Sequence, residues 1–377
     1  MRYRQVEIGS VVTLRQGFAI NKNTKHHMSE EPTNLPLLRI ADMKDGSQNV
    51  FVKDTIPPHF IAKSEDIIYT RTGQVGLVFT KQFGVIHNNC FTVTPNDEGV
   101  LSRKYLYYAL NSEDFYTKAN NLASGAAQPD LPHGAFNSIS IYLPPIDTQK
   151  RIASILSAYD DLIETNQKQI KLLEEAAQRL YKEWFVDLRF PGYENTPIID
   201  GVPQGWRNGT LGEIAFFKRG KTITKDQTCE GFVPVVAGGL EPAYYHNQSN
   251  TASPVITVSG SGANAGFTRM YHTDIWASDC SFVDIQSTDS IYFAYCVLKN
   301  KKSDIDALQK GAAQPHVYAK DINALEILVP NSICLAEFEE LVTPFFEKIK
   351  VLYQQIKVSK ESRDRLLPKL MSGELEV

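Results

Sequence analysis

The sequence predicts an α+β fold: two similar mixed α/β domains separated by two long helices that pair as an antiparallel coiled coil, with an internal pseudo-two-fold repeat. Three observations predict it. The pentapeptide GAAQP occurs twice, at 125–129 and at 311–315. The segments around the two copies also match, and each half of the chain closes with a long heptad pattern of apolar residues. A repeat of this size sets the architecture before any motif is considered.

The repeat can be followed outward from GAAQP. At the same displacement of 186 residues (from 125 to 311), Ile141 corresponds to Ile327 and Pro144 to Pro330, so two alternating apolar strands each end in proline. Upstream, loop insertions change the displacement. The corresponding features there are Cys90 and Cys280, the glycine-rich segments TRTGQVG at 70–76 and SGSGANAG at 259–266, and Gly9 and Gly17 with Gly212 and Gly220.

Each half closes with a helical segment whose seam residues follow steps of three and four, as in a coiled coil. The first seam consists of Ile152, Leu156, Tyr159, Ile163, Asn166, Ile170, Leu173, Ala177, Leu180 and Trp184. The second consists of Phe338, Val342, Phe345, Ile349, Leu352, Ile356, Ser359, Arg363, Leu366 and Leu370. Because a globular segment separates them, we expect the seams to pair antiparallel. The alternative is that each helix packs on its own globular domain.

Three residues modify this expectation for the helices. Asn166 occupies a seam position, where a buried amide typically fixes the register of a coiled coil at some cost in stability. Pro344 and Pro368 lie inside the second seam, and proline interrupts the hydrogen bonds of a helix. We therefore expect the second helix to start late, to kink or to end near one of them.

The domain boundaries follow from these patterns. We predict a first globular domain at 1–146, a central helix at 147–190, a second globular domain at 191–331 and a C-terminal helix at 332–377. The segment FPGYENTPIIDGVPQGW, at 190–206, is dense in proline and glycine and reads as the linker between the halves.

Composition limits the class of protein only in part. The formal net charge is −4, so binding to a polyanion would need local basic patches or positively charged partner subunits. Five scattered cysteines without a Cys-x-x-Cys pair are typical of a reducing compartment. The N-terminus, MRYRQVEIGS, has no apolar segment of the kind found in signal peptides, and no run approaches the 18 apolar residues of a membrane span. We therefore predict a cytoplasmic protein that does not bind membranes.

The sequence contains no credible catalytic constellation. LPPI at 143–146 lacks the polar first residue of the Asp/Asn-Pro-Pro-Tyr/Phe motif of amino-methyltransferases. AFFKRGKT at 215–222 lacks the first glycine of a phosphate loop, and GSGANAG has one residue too many for a dinucleotide fingerprint. The histidines show no metal-ligand spacing. We predict a chain that is not an enzyme alone and that uses no catalytic residue, cofactor or metal.

Four segments together resemble a known family. They are LPPIDTQKRIASILSAYDDLIETN, LYKEWFVDLRFPGYE, DGVPQGW and the terminal RLLPKLMSGELEV. They are similar to the specificity subunit of type I restriction-modification systems, and the resemblance covers both halves of the chain. It implies two target recognition domains that each read one half of a split, asymmetric site in double-stranded DNA. It also implies helices that separate the domains and dock two adenine-methyltransferase subunits, with motor-nuclease subunits joining the complex.

The expected helix length agrees with this function. From Ile152 to Trp184 a helix rises about 48 Å at ~1.5 Å per residue. Half-sites on one face of a duplex lie about 34–36 Å apart. A helix of this length can hold two recognition domains over two half-sites. Because the two repeats are similar but not identical, we expect the half-sites to differ in sequence.

The glycine-rich segments and GAAQP are the main candidates for DNA contact. Glycine permits close backbone approach, and the polar side chains nearby can donate to base edges or phosphates. The alternative is a pair of glycine-rich turns that face water. The candidate residues there are Arg71, Thr72, Gln74, Gln128 and His133 in the first half, and Ser259, Ser261, Asn264, Gln314 and His316 in the second. Arg219 and Lys221 are further candidates from the basic stretch at 218–221, which would suit phosphate contacts.

The end of the central helix carries candidate partner anchors. Tyr181, Trp184 and Phe185 lie there, and interface anchors are often aromatic. The alternative is that they pack into the chain's own coil. Two other functions stay open from the residues alone: a coiled-coil scaffold with two protein-binding modules, and an enzyme with an unrecognised site.

Overall fold

The computed structural model describes residues 3–125, 127–309 and 315–377. They form two compact units. Unit 1 is Met1–Glu164 with Lys357–Val377, and unit 2 is Thr165–Ile356. Each unit therefore combines one globular half with a portion of both long helices.

Unit 1 contains a four-stranded antiparallel sheet flanked by small sheets and short helices. Its strands are β1 (Arg4–Glu7), β2 (Val12–Gln16), β3 (Met28–Ser29), β4 (Leu37–Leu38), β5 (Phe51–Val52), β6 (Ile61–Ala62), β7 (Ile67–Thr70), β8 (Val78–Phe79), β9 (Gly84–Ile86), β10 (Cys90–Pro95) and β11 (Ser140–Leu143). Its helices are α1 (Ile40–Asp45), α2 (Arg103–Leu110), α3 (Glu113–Leu122) and α4 (His133–Asn137), followed by the start of α5 (Ile146–Tyr181).

Unit 2 is assembled in the same way. Its strands are β12 (Ile198–Ile199), β13 (Val202–Pro203), β14 (Arg207–Thr210), β15 (Lys218–Arg219), β16 (Val233–Val236), β17 (Tyr244–His246), β18 (Val255–Ser259), β19 (Thr268–Tyr271), β20 (Trp276–Ala277), β21 (Cys280–Asp284) and β22 (Glu326–Val329). Its helices are α6 (Ile291–Asn300), α7 (Lys302–Ala307), α8 (Ala319–Asn323) and most of α9 (Ser332–Ser372).

The predicted repeat is confirmed by strand order and register. The main sheets run β2-β10-β7-β8 in unit 1 and β15-β21-β18-β19 in unit 2. Cys90 lies opposite Thr70 in the first, and Cys280 lies opposite Ser259 in the second. The strand that ends before each long helix, β11 or β22, pairs antiparallel with β1 or β14. The correspondence read from the sequence is therefore a correspondence of strands.

The smaller three-stranded sheets differ between the units. Both contain a parallel pair, β4 with β9 and β16 with β20. The third, antiparallel strand joins β9 in unit 1 but joins β16 in unit 2. The two halves therefore share the order of the main sheet and differ in the smaller three-stranded sheet.

Close backbone approach explains two of the repeated glycines. A Cβ on Gly9 would lie 2.5 Å from Cβ of Asn137, and one on Gly212 would lie 2.9 Å from Cβ of Asn323. These asparagines are themselves 186 residues apart. A side chain at either glycine would push apart the turn after the first strand and the short helix before the last.

The long helices pair antiparallel within each unit. In unit 1, Arg363 Nη1 lies 2.6 Å from Asp160 Oδ1. In unit 2, Asn166 Nδ2 donates to Gln355 Oε1 at 3.2 Å, and the rings of Tyr181 and Phe338 are 6.4 Å apart. Residue numbers rise on one helix as they fall on the other, which confirms the antiparallel coiled coil.

The alternative of helices that pack on their own domains is also partly realised. Ile152 and Leu156 of α5 are fully buried in the core of unit 1, which contains the globular half that precedes α5. Leu370 of α9 is almost fully buried in that same core and not in the half that precedes α9. The helix ends therefore serve both the coil and the globular core.

The expectation for the prolines is wrong in part. Helix α9 begins at Ser332 and continues through both Pro344 and Pro368 to Ser372. The two prolines are exposed, whereas Val342 and Ile349 on the seam are buried. Burial of the seam offsets the roughly 3 kcal/mol that an interior proline costs.

Replacing Asn166 by leucine is expected to raise the free energy of unfolding by about 1–2 kcal/mol, because Asn166 is 3% exposed and leucine would bury more apolar surface there. Loss of its bond to Gln355 should also loosen helix register. Denaturant unfolding and disulfide trapping of neighbouring registers measure the two effects. The control is Gln167→Leu at the adjacent exposed position, which should change neither. A destabilised Asn166→Leu chain would contradict the prediction.

Candidate nucleic-acid interface

In unit 1 the two predicted loops lie against each other. The glycine-rich segment follows β7, and the residues after GAAQP run antiparallel to it, with Thr72 bridged to Asp130. Gly73 N donates to Pro129 O at 2.8 Å, and Leu131 N donates to Arg71 O at 3.0 Å. We call this pairing of loops the unit 1 junction.

Unit 2 forms the same backbone arrangement. Ser261 is bridged to His316. Gly262 N donates to Pro315 O at 3.1 Å, and Val317 N donates to Gly260 O at 3.1 Å. We call this the unit 2 junction. Because the same two backbone bonds close both junctions, Thr72 is equivalent to Ser261, and Asp130 is equivalent to His316.

The polar centre of the unit 1 junction is the Asp130 carboxylate. Arg71 donates to it twice, from Nε to Oδ1 at 3.2 Å and from Nη2 to Oδ2 at 2.7 Å. Thr72 Oγ1 also donates to Oδ1. Arg71 Nη1 donates to Gln16 Oε1 at 3.2 Å. The Arg71 guanidinium holds the pKa of Asp130 below its ordinary value, so this carboxylate is ionised near neutral pH.

The polar centre of the unit 2 junction is a different carboxylate. Asp279 accepts from Ser261 Oγ through Oδ2 and from Arg219 Nη2 through Oδ1 at 3.4 Å. His316 stacks on Tyr318 with ring centroids 5.9 Å apart. These five side chains line a surface pocket of about 310 Å³.

Several predicted residues sit at or beside the junctions with accessible side chains. Gln74 and Gln128 are exposed in unit 1, and Asn264 is half-buried in the turn after Ser261. Lys221 is exposed, and its Nζ lies 5.9 Å from the centre of the Trp276 ring. Gln314 lies outside the described residues.

Two predicted DNA-contact residues have structural surroundings instead. Ser259 is 4% exposed, and its hydroxyl donates to Gly238 O at 3.0 Å, so this side chain holds the loop and is not available to DNA. His133 packs edge-on against Phe91 at 4.9 Å, and burial lowers the pKa of its imidazole. Its Nε2 is buried and has no hydrogen-bond partner among the described residues.

The predicted partner anchors are also internal. Tyr181, Trp184 and Phe185 are 5%, 7% and 5% exposed. Their rings pack with Phe338, whose centroid is 5.1 Å from that of Phe185, and with Phe293. The structure thus supports the alternative, in which these aromatics form the core at the end of the coil, and leaves little of them for a partner.

Sequence reasoning missed the two carboxylates and Gln16. Asp130 could have been found, because it follows GAAQP at the position that His316 occupies after the second copy. Gln16 could also have been found, because it precedes Gly17 as Arg219 precedes Gly220, whereas Asp279 carries no such signal. Gln16 lies opposite Phe91 and Arg219 lies opposite Ser281 through strand pairing, and Asp279 directly precedes β21.

The described part of the chain carries neither a candidate metal site nor a candidate membrane span. No group of three or more His, Cys, Asp or Glu residues there is placed to hold a metal ion. Within the same residues, no helix combines the length and apolar character needed to cross a bilayer.

Comparison with known proteins agrees with this architecture. A family model described as "Type I restriction modification DNA specificity domain" matches residues 2–175 and 203–333. The type I restriction enzyme MjaIX specificity subunit of Methanocaldococcus jannaschii is 30% identical over 89% of this chain and 81% of its own. The HindI specificity subunit of Haemophilus influenzae is 22% identical over 77% of this chain and 81% of its own. The crystal structure of a type I S subunit from M. genitalium shares the fold, with a TM-score of 0.61 and 19% identity over 98% and 96% of the two chains.

The chain thus combines a duplicated α/β unit, two long helices that pair antiparallel and two equivalent junctions with unlike polar groups. The family match covers most of the chain. This chain belongs to the type I restriction-modification DNA specificity family. That membership supports DNA sequence recognition and does not support the alternative of a protein-binding scaffold.

Proposed function

We propose that this chain is the DNA sequence-recognition subunit of a type I restriction-modification complex, in which each globular half reads one half of a bipartite, asymmetric site. The observation that carries the proposal is the repeated junction. The same backbone bonds hold Thr72 and Asp130 in unit 1 and Ser261 and His316 in unit 2. The two units share one backbone arrangement but carry different polar side chains on it, which suits two half-sites of different sequence.

The division of labour follows the chain. Residues 1–146 and 191–331 are the two target recognition domains, and residues 147–190 and 332–377 are the spacer helices. Helix α5 has 36 residues, which is about 54 Å at ~1.5 Å per residue. That length exceeds the roughly 34–36 Å between half-sites one turn apart, so the bases between can be spanned without being read.

The contact residues proposed are the accessible ones at the junctions. Base edges are assigned to side chains with paired donors or acceptors, and phosphates to the exposed cations. Among the described residues, the base-reading set is Arg71, Thr72, Gln74, Gln128, Arg219, Ser261, Asn264 and His316; Gln314, which lies outside them, is included only as the counterpart of Gln128 in the second GAAQP. Lys221 is the phosphate contact.

Catalysis is assigned to the partners. Two adenine-methyltransferase subunits dock on the spacer helices and modify the site, and motor-nuclease subunits join the full complex in the cytoplasm. This assignment rests on the absence of a catalytic motif from the sequence and on the relatives, which are named specificity subunits.

The test is adenine methylation of a random duplex library by the methyltransferase partner, with and without this chain. We expect modification at one split motif only when the chain is present. Duplex affinity should also fall steeply with salt, by about 0.9 log units per log unit of salt for each phosphate contacted. Sequence-independent methylation, or duplex binding that ignores salt, would overturn the proposal.

A further inference from the structure

The two junctions contain the same three kinds of group, of which two occupy different positions in the two units. Each has one arginine, one carboxylate and one hydroxyl. The hydroxyls, on Thr72 and Ser261, occupy equivalent positions. The arginine and the carboxylate do not, although both pair with each other in each unit.

In unit 1 the arginine comes from the glycine-rich loop and the carboxylate from the segment after GAAQP. In unit 2 the loop position equivalent to Arg71 is Gly260, as their matching backbone bonds show. Arg219 enters instead from the end of β15, where unit 1 has Gln16. The guanidinium groups therefore reach the two junctions from different segments of the repeat.

Each arginine is paired with a carboxylate that offsets its charge. This pairing suits it better to hydrogen bonding with a base edge than to binding a phosphate. The Asp130 carboxylate offsets the charge of Arg71 and would repel a phosphate, but it fixes the guanidinium plane. Among the described residues, Arg71 uses three of its five N–H donors, on Asp130 and Gln16. Its side chain is 21% exposed, so little further ordering is needed when a base edge is bound.

Arg219 is held less firmly. Its side chain is 65% exposed, and its contact with Asp279 is a single one at 3.4 Å. The Arg219 side chain must lose more conformational freedom than Arg71 on binding a base. We therefore expect Arg219 to discriminate less strongly between bases.

We propose that this arginine–carboxylate–hydroxyl group is the base-reading unit of each half: Arg71, oriented by Asp130, and Arg219, oriented by Asp279, each bind one guanine in the major groove. The inference rests on the proposed function and adds the reading residue of each half. Guanine is chosen because its O6 and N7 match a planar fork of donors. The different origins of the two arginines place the guanine differently within each half-site.

The test compares full-length variants, in complex with the methyltransferase partner, on the duplex library. Arg71→Ala and Arg71→Lys should lose discrimination at a single guanine of one half-site by about 5- to 150-fold. The other half-site should be unchanged. Arg219→Ala should relax one guanine of the other half-site instead. In the wild-type complex, 7-deazaguanine at either position should reproduce the corresponding variant, because it removes N7.

The Asp130→Asn variant distinguishes a role of Asp130 in orienting Arg71 from a role in stabilising the fold. If Asp130 orients Arg71, this variant relaxes the same guanine as Arg71→Lys while the melting temperature stays near that of the wild type. The control is Arg103→Ala, which removes an arginine paired with Glu98 away from the junction and should leave the motif intact.

Several results would overturn the inference. One is a uniform loss of affinity for all sequences. Another is an unchanged motif with a lower melting temperature in the Arg71 variants, which would make Arg71 a structural link. A third is relaxation of the same half-site by Arg71 and Arg219 variants. A wild-type complex without sequence preference would instead refute the proposed function itself.

Discussion

Replacing Phe338 by alanine is expected to lower the free energy of unfolding by about 3–5 kcal/mol. Phe338 is fully buried at the start of α9. Its ring lies 5.1 Å from that of Phe185 and 5.8 Å from that of Trp184. Alanine would leave a cavity among rigid aromatic rings that cannot easily collapse into it.

Urea unfolding followed by tryptophan fluorescence measures this effect, because Trp184 contacts the substituted ring. The matched control is Phe232→Ala. Phe232 is 93% exposed, so its removal should change the free energy of unfolding by no more than about 0.5 kcal/mol. Equal effects of the two substitutions would mean that the aromatic cluster does not stabilise the end of the coil.

Inserting one heptad into both α5 and α9 is expected to lengthen the unread spacer of the recognition site and to leave both half-site sequences unchanged. Seven residues add about 10.5 Å of helix, which corresponds to roughly three base pairs at ~3.4 Å each. A heptad turns the helix by nearly two full turns, with a drift of about 20°, so the inserted seam faces the partner helix.

Genomic methylation mapping with the altered chain reads out both the spacing and the half-sites. An insertion in α5 alone is the control. It should shift Asn166 against Gln355, mispair the seams and lower stability. If the double insertion changed the half-site letters, the helices would not be spacers, and the proposed division of labour would be wrong.

Patterns with a regular period were predictable from the sequence. The three-and-four spacing from Ile152 to Trp184 identified a coiled coil because burial on one helix face repeats every 3.5 residues. The repeated glycines were predictable because only glycine tolerates the contacts found at Gly9 and Gly212. Both requirements restrict the residue type at particular positions, so they can be seen in the sequence.

The predictions for individual side chains were less successful. Ser259 was predicted to contact DNA, but it is buried at the end of β18 and its hydroxyl donates to Gly238 O. The aromatics at 181–185 were predicted to bind a partner, but they pack on α9, on α6 and, through Phe185, on Trp206. Exposure depends on what covers a residue, and for these aromatics α6 and α9 are about a hundred residues or more away along the chain.

The sequence by itself determined the duplicated architecture, the antiparallel helices and the two loops of each junction, because periodicity and glycine placement are short-range requirements. Only the tertiary structure decided which charges meet. Asp130 joins Arg71 across 59 residues, and Asp279 joins Arg219 across 60. Coulombic and hydrogen-bonding partners are set by distance in space, and strand pairing brings together residues that no sequence spacing relates.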